Sequence, residues 1–167
     1  MIPRAIDLVI GQWSARFSGR VMPCAVGRNG LGQKQVEGDK ITPFGTFQIE
    51  YLWVRRDRIS TQFRPKTRAT GLRDQWCEDP DAADYNLPVK SLQRFGSEKL
   101  RRPDRLYDVV AVLDYNRNPV IPGKGSAIFL HLWRKPRHPT AGCVAFAEAD
   151  LAWILQHWTD HSKVIIR

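Results

Sequence analysis

Short apolar runs, broken by glycine, proline and charged residues, fill most of the chain, and their lengths suit strands better than helices. Residues 6–10 and 20–26 read as two strands of a hairpin joined through Gly11 and Gly19. The glycine-rich segment 27–32 is a loop; it lacks the Gly-Lys-Ser/Thr ending and helical continuation of a phosphate cradle. After the turn Thr42-Pro43-Phe44-Gly45, residues 46–54 predict one long strand. Its Phe47, Ile49, Tyr51 and Trp53 share a face by the period of two. Residues 106–113, 127–130 and 144–146 are further apolar strands, and residues 163–166 make a short closing one. A single helix is predicted, with Leu151, Ile154, Leu155 and Trp158 at i, i+3, i+4 and i+7. Glu148 and Asp150 stand near its N-terminus, where a carboxylate suits the helix dipole.

Between these patterned halves, residues 55–105 are charged, contain Pro65, Pro80, Pro88 and Pro103, and show no amphipathic period. A loop-rich segment of that length inside a compact domain is uncommon and usually functional. It reads as an insertion or lid beside a site. Its Trp76, Tyr85 and Asn86 either line a groove for sugar or peptide or form the insertion's own small core. The expected fold is mainly β, a sandwich or barrel with this insertion and one helix, as a single domain over residues 1–167.

Composition narrows the picture. With 43% hydrophobic and 26% charged residues the chain is a globular domain, and no apolar run reaches membrane-spanning length. Residues 1–10 lack the long apolar region and cleavage site of a secretory signal, so either the domain works inside the cell or export depends on something not visible here. The net charge of +9 implies an anionic partner or a solvated basic face. The basic residues are scattered from Arg4 to Arg167 without a block or a recognised motif, so nucleic acid is not expected. The three cysteines, Cys24, Cys77 and Cys143, show neither a C-x-x-C pair nor zinc-like spacing, and no metal is expected. Cys24 lies in an apolar run and is most simply core, whereas Cys77 lies in a polar stretch.

Candidate chemistry sits in residues 126–146. An apolar strand ends on His131, a loop with two prolines follows, and Thr140-Ala141-Gly142 leads into Cys143 at the head of the next strand. Although eleven residues separate them, a histidine closing one strand and a cysteine opening the next can meet in space. An imidazole there can take the thiol proton or stabilise the thiolate. Gly142 permits a tight turn, and the Gly142 and Cys143 amides can converge on an oxyanion. The alternative is a structural cysteine after a turn and a histidine capping a strand.

In this arrangement the chain resembles the L,D-transpeptidase catalytic domain family of bacterial cell-wall enzymes. His131 matches the family's histidine, Thr140 its Ser/Thr position, Gly142 its glycine and Cys143 its nucleophile. The segment 37–47 is similar to the family's G-x-x-T-P-x-G-x-F stretch. Segments 76–80, 85–86, 115–116 and 123–126 resemble a compact proteobacterial branch. Ala141 replaces the usual histidine and Ala145 a usual polar residue, and the loop between His131 and Cys143 is short. The resemblance implies a cysteine-dependent acyltransferase on peptidoglycan stem peptides, an anionic cell-wall polymer that also suits the charge, with no metal or nucleotide cofactor. Cys143 is then the nucleophile, His131 the base and Gly142 an oxyanion amide, with Thr140 beside them. With polar groups missing at Ala141 and Ala145, the donor must be positioned by Trp133 and Arg137 on the loop and by Trp76, Tyr85 and Asn86 on the insertion. An altered position preference, such as 1–3 linkage, is the expectation. His138 either reaches the site in place of the missing histidine or stays in solvent. Hydrolysis of the same stems, as a carboxypeptidase or endopeptidase, is one alternative, and a basic polymer-binding module the other. Such a substrate places the protein in the periplasm or cell envelope, with the cytoplasm as the alternative; oligomeric state is not legible.

Overall fold

The computed structural model describes residues 2–90 and 96–167, so residues 91–95 of the expected insertion and Met1 lie outside the described residues. In chain order the strands are β1 (Leu8–Ile10), β2 (Ser14–Phe17), β3 (Arg20–Pro23), β4 (Leu31–Gly32), β5 (Thr42–Pro43), β6 (Gly45–Phe47) and β7 (Ile49–Val54). There follow β8 (Thr67–Ala69), β9 (Asp74–Cys77), β10 (Pro88–Lys90), β11 (Ser97–Lys99), β12 (Val109–Leu113), β13 (Phe129–Leu132) and β14 (Val144–Phe146). The helix α1 (Glu148–His157) and β15 (Val164–Ile166) complete the chain, which is mainly β as expected.

Two five-stranded sheets carry the fold, one ordered β3-β2-β1-β15-β6 and the other β14-β13-β12-β7-β8. Leu8, Ile10, Phe17 and Met22 of the first sheet share one apolar core with Leu52, Val54, Leu130, Val144 and Phe146 of the second. Leu151, Ile154, Leu155 and Trp158 extend that core from the helix, which buries the stripe its period predicts. Burying side chains of this kind stabilises by about 1.5–3 kcal/mol each before the entropy of ordering them is counted.

Two expected strands resolve differently. Residues 6–10 and 20–26 do not pair with each other: β2 lies between them, antiparallel to both. Its Ala15 and Phe17 point inward while Ser14 and Arg16 face solvent, so only two apolar positions mark it. The long strand over 46–54 is two strands in two sheets. Phe47 pairs with Val164 in the first sheet and Ile49 with Leu113 in the second. At the crossing, the Gln48 N–H donates to Asp114 Oδ1 at 2.8 Å. The shared face therefore splits: Phe47 and Ile49 pack on the main core, whereas Tyr51 and Trp53 belong to a second cluster.

That second cluster is where the insertion docks. Strands β10-β9-β11 form a small antiparallel sheet whose Trp76 lies with Leu100 against Tyr51, Trp53, Val110, Val112 and Phe129 on the outer face of the second large sheet. The Trp76 and Phe129 rings meet edge to face, with centroids 5.0 Å apart. Cys77 is correspondingly buried in β9, not in a polar loop, and Cys24 is buried in the main core. Strand β13 divides its side chains between the two clusters. Leu130 and Leu132 face the main core, while Phe129 packs in the outer cluster and His131 meets Tyr107 there. No helix is long and apolar enough to cross a membrane, among the described residues.

Candidate active site

Strands β13 and β14 run parallel and adjacent, with Leu130 opposite Val144 and His131 opposite Ala145. This register sets Cys143 just before β14, beside Phe129. The Phe129 N–H donates to Cys143 Sγ at 3.4 Å, and the thiol donates to the Ala127 carbonyl at 3.0 Å. As the end of its sheet, β14 gains a second partner from the loop after β3. Ala25 and Ala145 exchange both backbone bonds at 2.8 Å, Thr140 N–H donates to Val26 O at 2.9 Å, and Arg28 N–H donates to Thr140 O at 2.9 Å.

The turn before the cysteine is tied from below. Gly142 sits at φ +142°, and a Cβ there would lie 3.1 Å from the Ile41 carbonyl oxygen, so side chain and backbone both demand glycine. The buried Thr42 hydroxyl donates to the Gly142 carbonyl at 2.8 Å and accepts the Gly27 N–H at 2.8 Å. The Thr140 hydroxyl donates to the Cys143 carbonyl at 2.6 Å and accepts the Gly142 N–H at 3.1 Å. In the free site the Gly142 amide is thus already engaged. It reaches an oxyanion only by turning away from Thr140.

His131 is 4% exposed. Its Nδ1 lies 2.7 Å from the Leu132 carbonyl, which can only accept, so Nδ1 carries the proton and Nε2 is the free base. The Tyr107 ring stands edge-on to the imidazole at 5.2 Å. Burial lowers the His131 pKa to about 4, against the opposing pull of the Leu132 bond. Burial, reinforced by the charge of Glu98, pushes the Cys143 thiol well up. The resting pair is therefore a thiol and a neutral imidazole, not an ion pair.

A cavity of about 830 Å³ opens over this pair. Cys143, His131, Gly142, Thr140 and Trp133 line it. His138 is solvent-exposed and lines the rim of the cavity. Arg137 is exposed and lies off the wall, in a left-handed conformation at φ +59°. Trp76, Tyr85 and Asn86 are buried behind the cavity and do not line it. The indole N–H of Trp76 donates to Asn86 Oδ1 at 3.0 Å, and the Tyr85 hydroxyl donates to Glu37 and accepts the Gly125 N–H at 3.0 Å. Trp76 packs in the outer apolar cluster.

Lining residues that escape sequence reasoning include Lys34, Glu78, Glu98 and Tyr107. Lys34, itself almost wholly buried, pairs with Asp39 at 2.6 Å beneath the Gly142 turn. Glu78 directly follows β9 and Glu98 is the middle residue of β11, strands too short to show a period. Arg102 approaches Glu98 at 3.9 Å and stacks over Tyr107 at 5.3 Å. The insertion thus supplies Glu78, Glu98 and Arg102 to a cavity also lined by Arg28, Lys40 and Arg134. Among the described residues, no group of three or more His, Cys, Asp or Glu side chains is placed to hold a metal ion.

Burial, with the charges of Glu98 and Glu37, raises the Glu78 pKa from 4.5 to about 8. Folding then binds a proton that the unfolded chain releases above about pH 4.5, so stability is lost as pH rises from there toward 8. Glu78→Gln should flatten the fall of melting temperature over that window. Identical slopes in variant and wild type would show that Glu78 is ionised in the native state at neutral pH.

The profile of the L,D-transpeptidase catalytic domain (YkuD) matches residues 16–166, which include every element from β3 to β15 and the whole cavity wall. No curated protein matches the chain. With its mainly β architecture and a match over nearly its full length, the chain belongs to the L,D-transpeptidase catalytic domain family.

Proposed function

We propose that the protein is a peptidoglycan acyltransferase that joins stem peptides through a Cys143 thioester. The observation that carries this reading is a neutral imidazole on β13 and a thiol at the entry to the adjoining parallel β14, both lining one cavity that also holds carboxyl and basic side chains. A stem peptide bears both free carboxylates and amines: the carboxylates suit Arg28, Lys40 and Arg134, and the amines can donate hydrogen bonds to the Glu78 and Glu98 carboxyl oxygens. Membership of the family supplies the substrate class.

The steps follow from the free valences. The Cys143 proton passes to His131 Nε2 as the sulfur attacks the donor carbonyl, and backbone amides of Gly142 and Cys143 hold the oxyanion. Because its pKa is lowered to about 4, the imidazolium formed is a strong acid and gives its proton to the departing amine. The acceptor amine then attacks the thioester, its excess proton returns through His131, and the thiol is restored. Thr140 releases the Gly142 N–H when the oxyanion forms. Trp133 offers the rigid apolar wall beside the donor.

Substrate choice belongs to the insertion. The Glu78 and Glu98 carboxyls, whose pKa values burial raises, offer hydrogen-bonding oxygens to an amine, while Arg28 and Arg134 favour a carboxylate. Arg137, which lies off the wall, contributes only if the loop closes over bound donor. This polarity, with Ala141 and Ala145 apolar beside the nucleophile, supports a position preference other than the usual 3–3 linkage, such as 1–3. Such a substrate places the protein in the cell envelope.

Tandem mass spectrometry of muropeptides from sacculi treated with the protein tests the reading. Cross-linked dimers whose linkage changes in Glu78→Gln/Glu98→Gln are the expected result. Trimmed monomers alone would make the protein a hydrolase of the same stems. Ordinary 3–3 dimers, unchanged in the double variant, would remove the insertion from substrate choice.

A further inference from the structure

Asn86 lies in the insertion, is 1% exposed, and uses every hydrogen-bonding valence of its side chain. Oδ1 accepts the Ala127 N–H at 3.1 Å and the Trp76 indole N–H at 3.0 Å. Nδ2 donates to the Tyr115 carbonyl at 3.1 Å and to the Asn116 carbonyl at 2.7 Å. Two donors on one side and two acceptors on the other leave only one orientation for the amide. Its own backbone sits at φ +55°, a conformation asparagine tolerates better than most residues.

Ala127, the residue it grips, is unusual. It is neither glycine nor asparagine, yet it holds φ +52°. A non-glycine residue stays in that region only where surrounding contacts over-determine it. The carbonyl of this same residue takes the Cys143 thiol proton at 3.0 Å. Tyr85, next to Asn86, fixes the segment a second time by accepting the Gly125 N–H at 3.0 Å. Two adjacent insertion residues thus hold residues 125 and 127 of the segment that enters β13.

We propose that Asn86 is a positioning residue for the nucleophile: through the Ala127 peptide it aims a carbonyl at the Cys143 thiol and so sets where the sulfur rests and how firmly it keeps its proton. The proposal rests on Cys143 being the nucleophile. A hydrogen bond given by the neutral thiol favours the protonated form. Cutting the tether lets Ala127 leave its strained conformation and its carbonyl turn away. The sulfur then ionises more readily and points less reliably. Intrinsic thiol reactivity and acyl transfer should therefore move in opposite directions, which a merely structural role would not produce.

The test uses Asn86→Gly, because glycine keeps the positive φ without strain and removes only the side chain. Iodoacetamide alkylation of Cys143, followed by intact mass across pH, reads the thiol; acylation by a carbapenem reads the positioned nucleophile. The expected result is an alkylation profile moved about one pH unit toward acid together with an acylation rate reduced roughly tenfold or more. An alkylation profile identical to wild type overturns the proposal, whatever the acylation rate. If Asn86→Gly does not fold, Tyr85→Phe loosens the same segment and should move both readouts in the same senses by roughly threefold; no movement there overturns it as well. Failure of wild-type protein to form any carbapenem adduct at Cys143 would instead strike the nucleophile assignment, and the alkylation profile separates the two.

Discussion

Cys143→Ala should abolish carbapenem adduct formation and stem-peptide cross-linking, at least about 10⁴-fold below wild type, and melt within a few degrees of it. The sulfur is the most nucleophilic group on the cavity wall once ionised, and its immediate chain neighbours there, Ala141, Gly142 and Ala145, offer no substitute. Structurally the thiol makes two bonds, from the Phe129 N–H and to the Ala127 carbonyl. Losing them costs about 1 kcal/mol, or roughly 2–4 °C in a domain of this size. His131→Ala should be less severe, about 10²–10⁴-fold, because nucleophile and amides remain. Intact-mass spectrometry after carbapenem treatment reads both variants. Cross-linking at wild-type rate by Cys143→Ala would end the thioester mechanism.

Trp76→Ala should be the most destabilising single change in the insertion. The indole is 1% exposed, meets Phe129 edge to face, and donates to Asn86. Removing a buried tryptophan costs about 3–5 kcal/mol, which corresponds to roughly 10 °C of melting temperature here. The damage should be local, because the main core contains none of the Trp76 contacts. Limited proteolysis with mass mapping should find new cleavage between residues 70 and 105 while the two large sheets stay protected. A melting temperature within about 2 °C of wild type would show that the insertion is anchored elsewhere.

These two residues illustrate what a sequence displays. His131 and Cys143 can be paired by reading because each stands at the boundary of an apolar run, and a strand boundary is a local property. The helix stripe from Leu151 to Trp158 is equally local. Strand β2 hides because two inward residues are too few to establish a period. The break at Gln48 hides because Phe47 and Ile49 keep alternating while their partners change from Val164 to Leu113. Trp76, Tyr85 and Asn86 stand out by residue type, but type alone does not distinguish a wall from the layer behind it. Their role depends on partners 29 to 48 residues away, among them Glu37, Tyr115 and Ala127. Glu98 offers no signal at all and Glu78 only its place in segment 76–80; both are ordinary carboxyls until burial brings them beside a thiol.

The insertion begins and ends at neighbouring points, for Val54 is paired with Val109 and the Arg55 N–H donates to Asp108 O at 2.9 Å. Segments grafted between such neighbours face little topological obstacle, and doubling their length adds only about 0.6 kcal/mol of closure entropy. Evolution or an engineer can therefore exchange this stretch as a cassette, provided the replacement restores the edge strand β8 beside β7, and retune specificity while the nucleophile strand is inherited unchanged. The cassette is replaceable but not dispensable. Tyr51, Trp53, Val110, Val112 and Phe129 would lose their cover without it, so each replacement must bring an apolar underside of its own and an acceptor for the Ala127 amide.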